Sequence, residues 1–284
     1  MPYRTLGLIL IVLAVSGWGG VQLGGGVAPA GGGGCNAAFC LVDDANCQGA
    51  WLIFDGGAAD QVGAENDACT GGTLDMTFNG ATFAVAADEP EGTPAAQDAV
   101  NFNGTDQYFA LADNAALEAR PFTIGCWVQH AHASQDYIFE HGFDGEWGMW
   151  DIGTGSSAGN VDGGYLATTA TTTPQSDWFH ITMRFETGPN NNVIFYNGTE
   201  DGNDSTGFGT SGTAGDIRIG TYYDSLSGVW LGDIMECWYV DRELTDVEIE
   251  TVFLCGADGN ADGNARDALT NAPACVEGTH GCCV

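Results

Sequence analysis

The chain has 284 residues, 44% of them hydrophobic, enough for one large domain or two small ones with a sizeable core. Acidic residues number 38 against six basic ones, all of them Arg, and the net charge of −32 excludes nucleic acid as a partner, because phosphate binding draws on Lys and Arg. The 44 Gly argue for short strands joined by tight turns and against a helical protein.

The acidity has two compatible readings: a solvated surface suited to high salt, or carboxylates that ligate Ca²⁺. The ten Cys form no CxxC pair, which points to disulfides in an oxidising compartment rather than to zinc.

In chain order, residues 1–18 read as a signal peptide or an uncleaved membrane anchor. Arg4 precedes an apolar run over residues 6–15, and Ala28-Pro29-Ala30 offers small residues for cleavage. Either way the body is exported, and a membrane enters only through this segment if it is uncleaved. Residues 19–34 are a Gly-rich tether.

Residues 50–54 predict a buried strand ending at Asp55. Leu74, Met76 and Phe78, then Ala81, Phe83 and Val85, alternate as strands do, and Asn79-Gly80 between them predicts a hairpin. Residues 101–130 read as strand, Asn-Gly turn, strand over 106–111, loop, and strand over 122–129. Two short strands follow within 137–152, then a Thr-rich one over 165–172. In 178–186, Phe179, Ile181, Met183 and Phe185 face one way, and Trp178, His180, Thr182 and Arg184 the other. Residues 193–196, 216–220 and 229–240 complete the strands. Thr245-Asp246-Val247-Glu248 is a capping box opening a short helix to about Phe253.

Residues 255–284 form a Cys-rich tail. Asp258, Asn260, Asp262 and Gly263 match the first half of an EF-hand loop, but Leu269 stands where a bidentate Glu is needed, so an Asp-Gly turn between cysteines is the reading preferred.

A dozen short strands without βαβ rhythm predict an all-β, two-sheet antiparallel sandwich with one short C-terminal helix. The motifs also resemble a family. Residues 102–108 (FNGTDQY), 122–128 (FTIGCWV), 178–181 (WFHI), 193–198 (VIFYNG), 217–220 (IRIG) and 231–253 are similar, in order, to the strands of laminin-G-like, concanavalin A-like jelly-roll domains. The resemblance makes residues 35–254 the sandwich.

In that fold the first and last matched strands pair, which implies a bridge between Cys126 and Cys237; two small buried thiols are the alternative. The family's calcium position, where the entry strand meets the last strand, implies Asp55, Asp106 and Asp233 as ligands, against turn residues that bind nothing. His180 is expected to help line the sandwich, as the family's Trp-x-His strand does.

Trp147, Trp150, Tyr165, Tyr222, Tyr223 and Trp230 are candidate exposed sugar platforms, because an aromatic ring stacks on the apolar face of a pyranose. Core or rim packing is their competing reading. Glu140, Asp144 and Glu146 come nearest to a glycosidase carboxylate set, but the spacing is wrong and two Gly interrupt the strand. His130 and His132 share a strand face as a solvent-facing pair or as metal ligands. Asn103, Asn197 and Asn203 head glycosylation sequons or fall there through turn composition.

The reading is an exported, non-catalytic binding or adhesion module for glycans, Ca²⁺-supported, extracellular or at a cell surface. The alternative is a structural or decoration subunit of an appendage, capsid or virion, partnered by copies of itself. A glycoside hydrolase stands third.

Overall fold

The computed structural model describes residues 46–52, 64–65, 74–80, 84–85, 99–118, 121–131, 135–143, 147–152, 157–161, 164–166, 177–185, 192–204, 213–222 and 225–256. The segments expected to be a leader and a tether, the residues beyond 256, and Asp55, His132, Asp144, Glu146 and Tyr223 lie outside them. No described helix is long and apolar enough to cross a membrane.

The strands are β1 (Cys47–Leu52), β2 (Ala64–Glu65), β3 (Met76–Asn79), β4 (Ala84–Val85), β5 (Val100–Asn103), β6 (Tyr108–Leu111), β7 (Phe122–His130) and β8 (Gln135–Phe143). They continue as β9 (Trp147–Ile152), β10 (Ser157–Val161), β11 (Gly164–Leu166), β12 (Trp178–Phe185), β13 (Asn192–Tyr196), β14 (Thr199–Asp204), β15 (Thr213–Ile219) and β16 (Leu231–Val240). Helix α1 (Asp246–Gly256) follows.

Two antiparallel sheets stack as a jelly-roll sandwich. The first runs β14-β13-β12-β7-β16-β5-β4, with β1 also on β16; the second runs β11-β10-β9-β8-β15-β6-β3-β2. Strand β16 is shared out along its length. Leu231–Ile234 pair with β5, while Glu236–Val240 pair with β1, and β7 lies along the opposite edge.

The core between the sheets is aromatic and aliphatic. Phe122 lies 4.3 Å from Phe185 and 5.1 Å from Tyr239, ring centre to ring centre. Each such pair contributes about 0.5–1.5 kcal/mol beyond area burial. Phe179, Ile181, Met183 and Phe185 of β12 all enter this core, as their alternation predicts.

The first sheet is also buried on its outer face. Trp127, Val193, Phe195, Met235, Trp238 and Val240 meet Leu244, Ile249, Val252 and Phe253 of the helical segment in a second apolar cluster. His180 belongs to this outer layer, not to the space between the sheets. Its ring lies 5.1 Å from Trp127 and 6.1 Å from both Trp238 and Phe253.

The helix is fixed at its start by the expected capping box. The Glu248 amide donates to Thr245 Oγ1 at 3.3 Å, and the Thr245 amide donates to Glu248 Oε2 at 2.7 Å. Arg242 grips the same carboxylate at 2.7 and 3.1 Å, and its guanidinium is the main reason the Glu248 carboxyl is held below its usual range.

The Asn-Gly turns divide. Asn197 (φ 48°) and Gly198 (φ 76°) close a true hairpin, with Tyr196 opposite Thr199. The hairpin predicted at Asn79-Gly80 is not one. Strand β3 pairs with β6 in the second sheet and β4 with β5 in the first, so the chain crosses between layers there. Gly80 (φ 105°) is needed because a Cβ would stand 2.2 Å from the Asp106 carbonyl oxygen.

Cys126 faces Cys237 across β7 and β16, and the two are disulfide-bonded with Cα atoms 4.2 Å apart. Cys47 is also in a disulfide. The 126–237 bridge closes a loop spanning 111 residues, so the Cys126→Ala/Cys237→Ala variant is expected to lose roughly 2–5 kcal/mol of unfolding free energy in denaturant titration. An unchanged midpoint would show that the surrounding packing alone holds these strands.

Burial lowers the His180 pKa to about 3, so the folded state holds the imidazole neutral while the unfolded chain protonates it near the ordinary value of 6.5. Its contribution is therefore complete above about pH 6.5 and declines as the pH falls toward 3, by up to about 1.4 kcal/mol per pH unit. Replacing His180 with Gln is expected to flatten the stability profile over that window, measured by denaturation at successive pH values. Parallel profiles would contradict the assignment.

Candidate functional site

Sheet register sorts the second sheet's residues into two faces. On β8 and β9, Asp136 stands opposite Asp151, Tyr137 opposite Trp150, Glu140 opposite Gly148 and His141 opposite Trp147. Phe139, Met149 and Trp147 enter the core, so Tyr137, Glu140, Gly148 and Trp150 share the outer face. Arg218 of β15 stands opposite Glu140 on one side and Ala110 of β6 on the other, which places it in the same layer. In backbone register, Asn160 pairs with Gly148 on one side and Tyr165 on the other.

The outer face is thus rich in rings around a central guanidinium. Tyr137 lies 5.9 Å from Trp150 and 4.8 Å from Tyr222. Arg218 sits over the Tyr108 ring at 4.9 Å, donates to the Tyr222 carbonyl at 3.1 Å, and lies 3.6 Å from the exposed Asp216 carboxylate. Arg218 Nε is buried without a hydrogen-bond partner. Tyr108, Tyr137, Arg218 and Tyr222 are half-buried, and Glu140 is buried. Ring faces flanked by charged hydrogen-bonding groups are the chemistry that recognises a polyhydroxylated ligand.

This geometry corrects several candidates. Trp147 and Trp230 are core residues at 2% and 0% exposure, so neither is an exposed platform. Trp147 points inward from β9 and donates its indole N–H to the Leu117 carbonyl at 2.9 Å. Trp230 is sealed by His130, stacked on it at 4.5 Å. Trp150 does lie on the outer face but is buried there, beside Tyr137, rather than standing open in a loop.

His130 is not solvent-facing. It is buried, 3.0 Å from Asp136 Oδ2 and 3.7 Å from Asp151 Oδ1, and ties the first sheet to two strands of the second. The inward register position at the end of β7 fixes this, and sequence alone offers only the alternation of β7 to show it.

Of the implied calcium ligands, Asp106 accepts a hydrogen bond from Asn103 Nδ2 at 2.8 Å, and Asp233 accepts one from Asn101 Nδ2 at 2.6 Å. Among the described residues neither joins a third potential ligand. The one group of three that does converge is Asp113, Glu118 and His141. Sequence reasoning missed it because the residues come from a loop and a strand more than 20 positions apart. Asn103 and Asn197 are committed to turns: Asn103 Oδ1 accepts from the Thr105 amide, and Asn197 Oδ1 from that of His180.

Sheet order, burial and face chemistry define a class: a jelly-roll lectin-type sandwich with a ring-rich outer face. The family model for concanavalin A-like lectin/glucanases matches residues 103–250, just over half of the chain, and the chain belongs to that superfamily.

Three solved structures share the fold. Domain 4 of AbnA, a GH43 extracellular arabinanase from Geobacillus stearothermophilus, seen in complex with arabinotriose, has a TM-score of 0.51 at 14% identity. That match covers 73% of this chain and 98% of the domain. The binding domain of botulinum neurotoxin DC, in complex with rat synaptotagmin II, has a TM-score of 0.53 at 11% identity, covering 73% of this chain and 51% of that one. Trypanosoma rangeli sialidase, in complex with sialic acid, has a TM-score of 0.52 at 14% identity, covering 75% and 33%. The chain therefore spans a third of the sialidase and about half of the neurotoxin domain. No curated protein matches the chain by sequence.

Proposed function

We propose that this chain is an exported glycan-binding module that works by binding rather than turnover, and that its ligand lies on the outer face of the second sheet. The observation that carries this reading is the ring row Trp150–Tyr137–Tyr222 beside Arg218 seated on Tyr108. The half-buried Tyr137 and Tyr222 rings, with buried Trp150 packed against Tyr137, supply stacking area at low entropic cost, and Arg218 supplies N–H donors held in place by its own contacts. The arabinotriose complex of the similar arabinanase domain supports the sugar class.

The local charge favours a neutral glycan. Arg218 is faced by Asp216, and the chain carries −32 overall, so an anionic polymer is repelled. The proposed setting is extracellular or at a cell surface, with Ca²⁺ support through Asp106 and Asp233 as part of the proposal. A second reading, a glycoside hydrolase, draws on one observation: Glu140 is a buried carboxylate on the same face, and burial is how a glycosidase keeps its general acid protonated.

The test is a glycan array that includes arabino-oligosaccharides and β-glucans, run with and without chelator, followed by titration of the best binder. Arg218→Ala and Tyr222→Ala are each expected to weaken binding about tenfold or more, the loss of one charge-assisted hydrogen bond or one stacking surface. Undiminished affinity in both variants would remove the face from consideration. Release of reducing ends by the wild type but not by Glu140→Gln would establish the hydrolase reading instead.

A further inference from the structure

We propose that Asp113, Glu118 and His141 form a binding site for a transition-metal ion of the zinc class, separate from the ring-rich outer face and independent of whether that face binds glycans. One donor atom from each of the three residues lies within 4.8 Å of the others. His141 Nε2 is 3.0 Å from Asp113 Oδ1.

The imidazole distinguishes this set from an ordinary acidic patch. The His141 side chain is fully buried, pointing inward from β8, yet its Nε2 is directed at a carboxylate that is 36% exposed. The nitrogen donor is thus fixed by the core, while the oxygen donors reach solvent and leave a side from which an ion enters.

The backbone that carries the oxygen donors is also held. Asp113 and Glu118 flank the 3-10 turn Ala115–Leu117, which Asn114 caps by accepting from the Ala116 amide at 2.9 Å. Trp147 fastens this turn to the imidazole. Its indole N–H reaches the Leu117 carbonyl at 2.9 Å, and its ring meets His141 edge-on at 5.5 Å. Such outer-shell contacts hold ligands in binding geometry before the ion arrives.

Donor type selects the ion. Zinc takes imidazole nitrogen and carboxylate oxygen at about 2.0–2.2 Å, which sets neighbouring tetrahedral ligands roughly 3.4 Å apart, a spacing that the three donors reach by small side-chain rotations of the two exposed carboxylates. Calcium takes only oxygen and six to eight ligands of it, so an imidazole in a three-residue set selects against it. Three protein ligands leave a fourth position for water. The field of a chain at −32 draws cations to the surface.

The test uses the full chain stripped with chelator and titrated calorimetrically with Zn²⁺, and in parallel with Co²⁺ followed by its visible absorption. Asp113→Asn/Glu118→Gln keeps each side chain's shape and an acceptor oxygen for His141, so it perturbs folding less than replacing the buried His141. The expected result is a tight Zn²⁺ event of one ion per chain, weakened about 100-fold in the double variant, with loss of the Co²⁺ band and no displacement by Ca²⁺ at equal concentration. Equal zinc affinity in the double variant, absence of the tight event in the wild type, or displacement by Ca²⁺ would each overturn the proposal.

Discussion

Everything in this sandwich depends on the pairing of β7 with β16. Both strands are buried on both faces along most of their length, which is unusual for an antiparallel sheet and favours apolar side chains on both sides. Inward, Ile124, Cys126 and Val128 meet Ile234, Cys237 and Tyr239; outward, Trp127 lies with Met235, Trp238 and Val240. Gly125 is the concession that makes this fit. It stands opposite Trp238, and a Cβ there would lie 2.3 Å from the indole ring. The disulfide locks the next residue pair, so a one-residue slip is closed off both sterically and covalently.

Burying both faces of the first sheet has a functional consequence. Its inner side is the core, and its outer side is covered by α1 and the Leu244 turn. Among the described residues the ring-rich outer face therefore belongs to the second sheet. Its tyrosine rings are kept partly open, and Arg218 is fixed by Tyr108, Tyr222 and Asp216 instead of by the core. The rigid pair of strands thus works as a foundation, while the recognition chemistry is carried on the opposite layer. The proposed metal site sits elsewhere on β8, at the inward position of His141 beside the 3-10 turn.

Much of the architecture was legible because period-two alternation is a local property. The β12 alternation put Phe179 and Ile181 on one face and His180 on the other, although His180 was expected to line the sandwich, and the capping box at Thr245 marked the helix start. Which layer a strand joins is not local. Asn79-Gly80 and Asn197-Gly198 carry the same positive-φ chemistry, yet only the second closes a hairpin, because the first sits where the chain crosses between sheets. The same limit misplaced Trp147 and Trp230. An aromatic residue beside glycines reads as a loop platform until pairing shows which side of the sheet it occupies. His141 and Asp113 escaped notice for the same reason, since only the stacking of the loop after β6 against β8 unites them.

The central claim is that ligand is held on the second sheet's outer face. Hydrogen–deuterium exchange of the chain with and without its best-binding oligosaccharide tests this most directly, because protection is read segment by segment. The account predicts slowed exchange in β8, β15 and the Tyr222 turn, with β7, β12 and α1 unchanged. Protection concentrated on α1 and β12, with β8 and β15 unaltered, would contradict it.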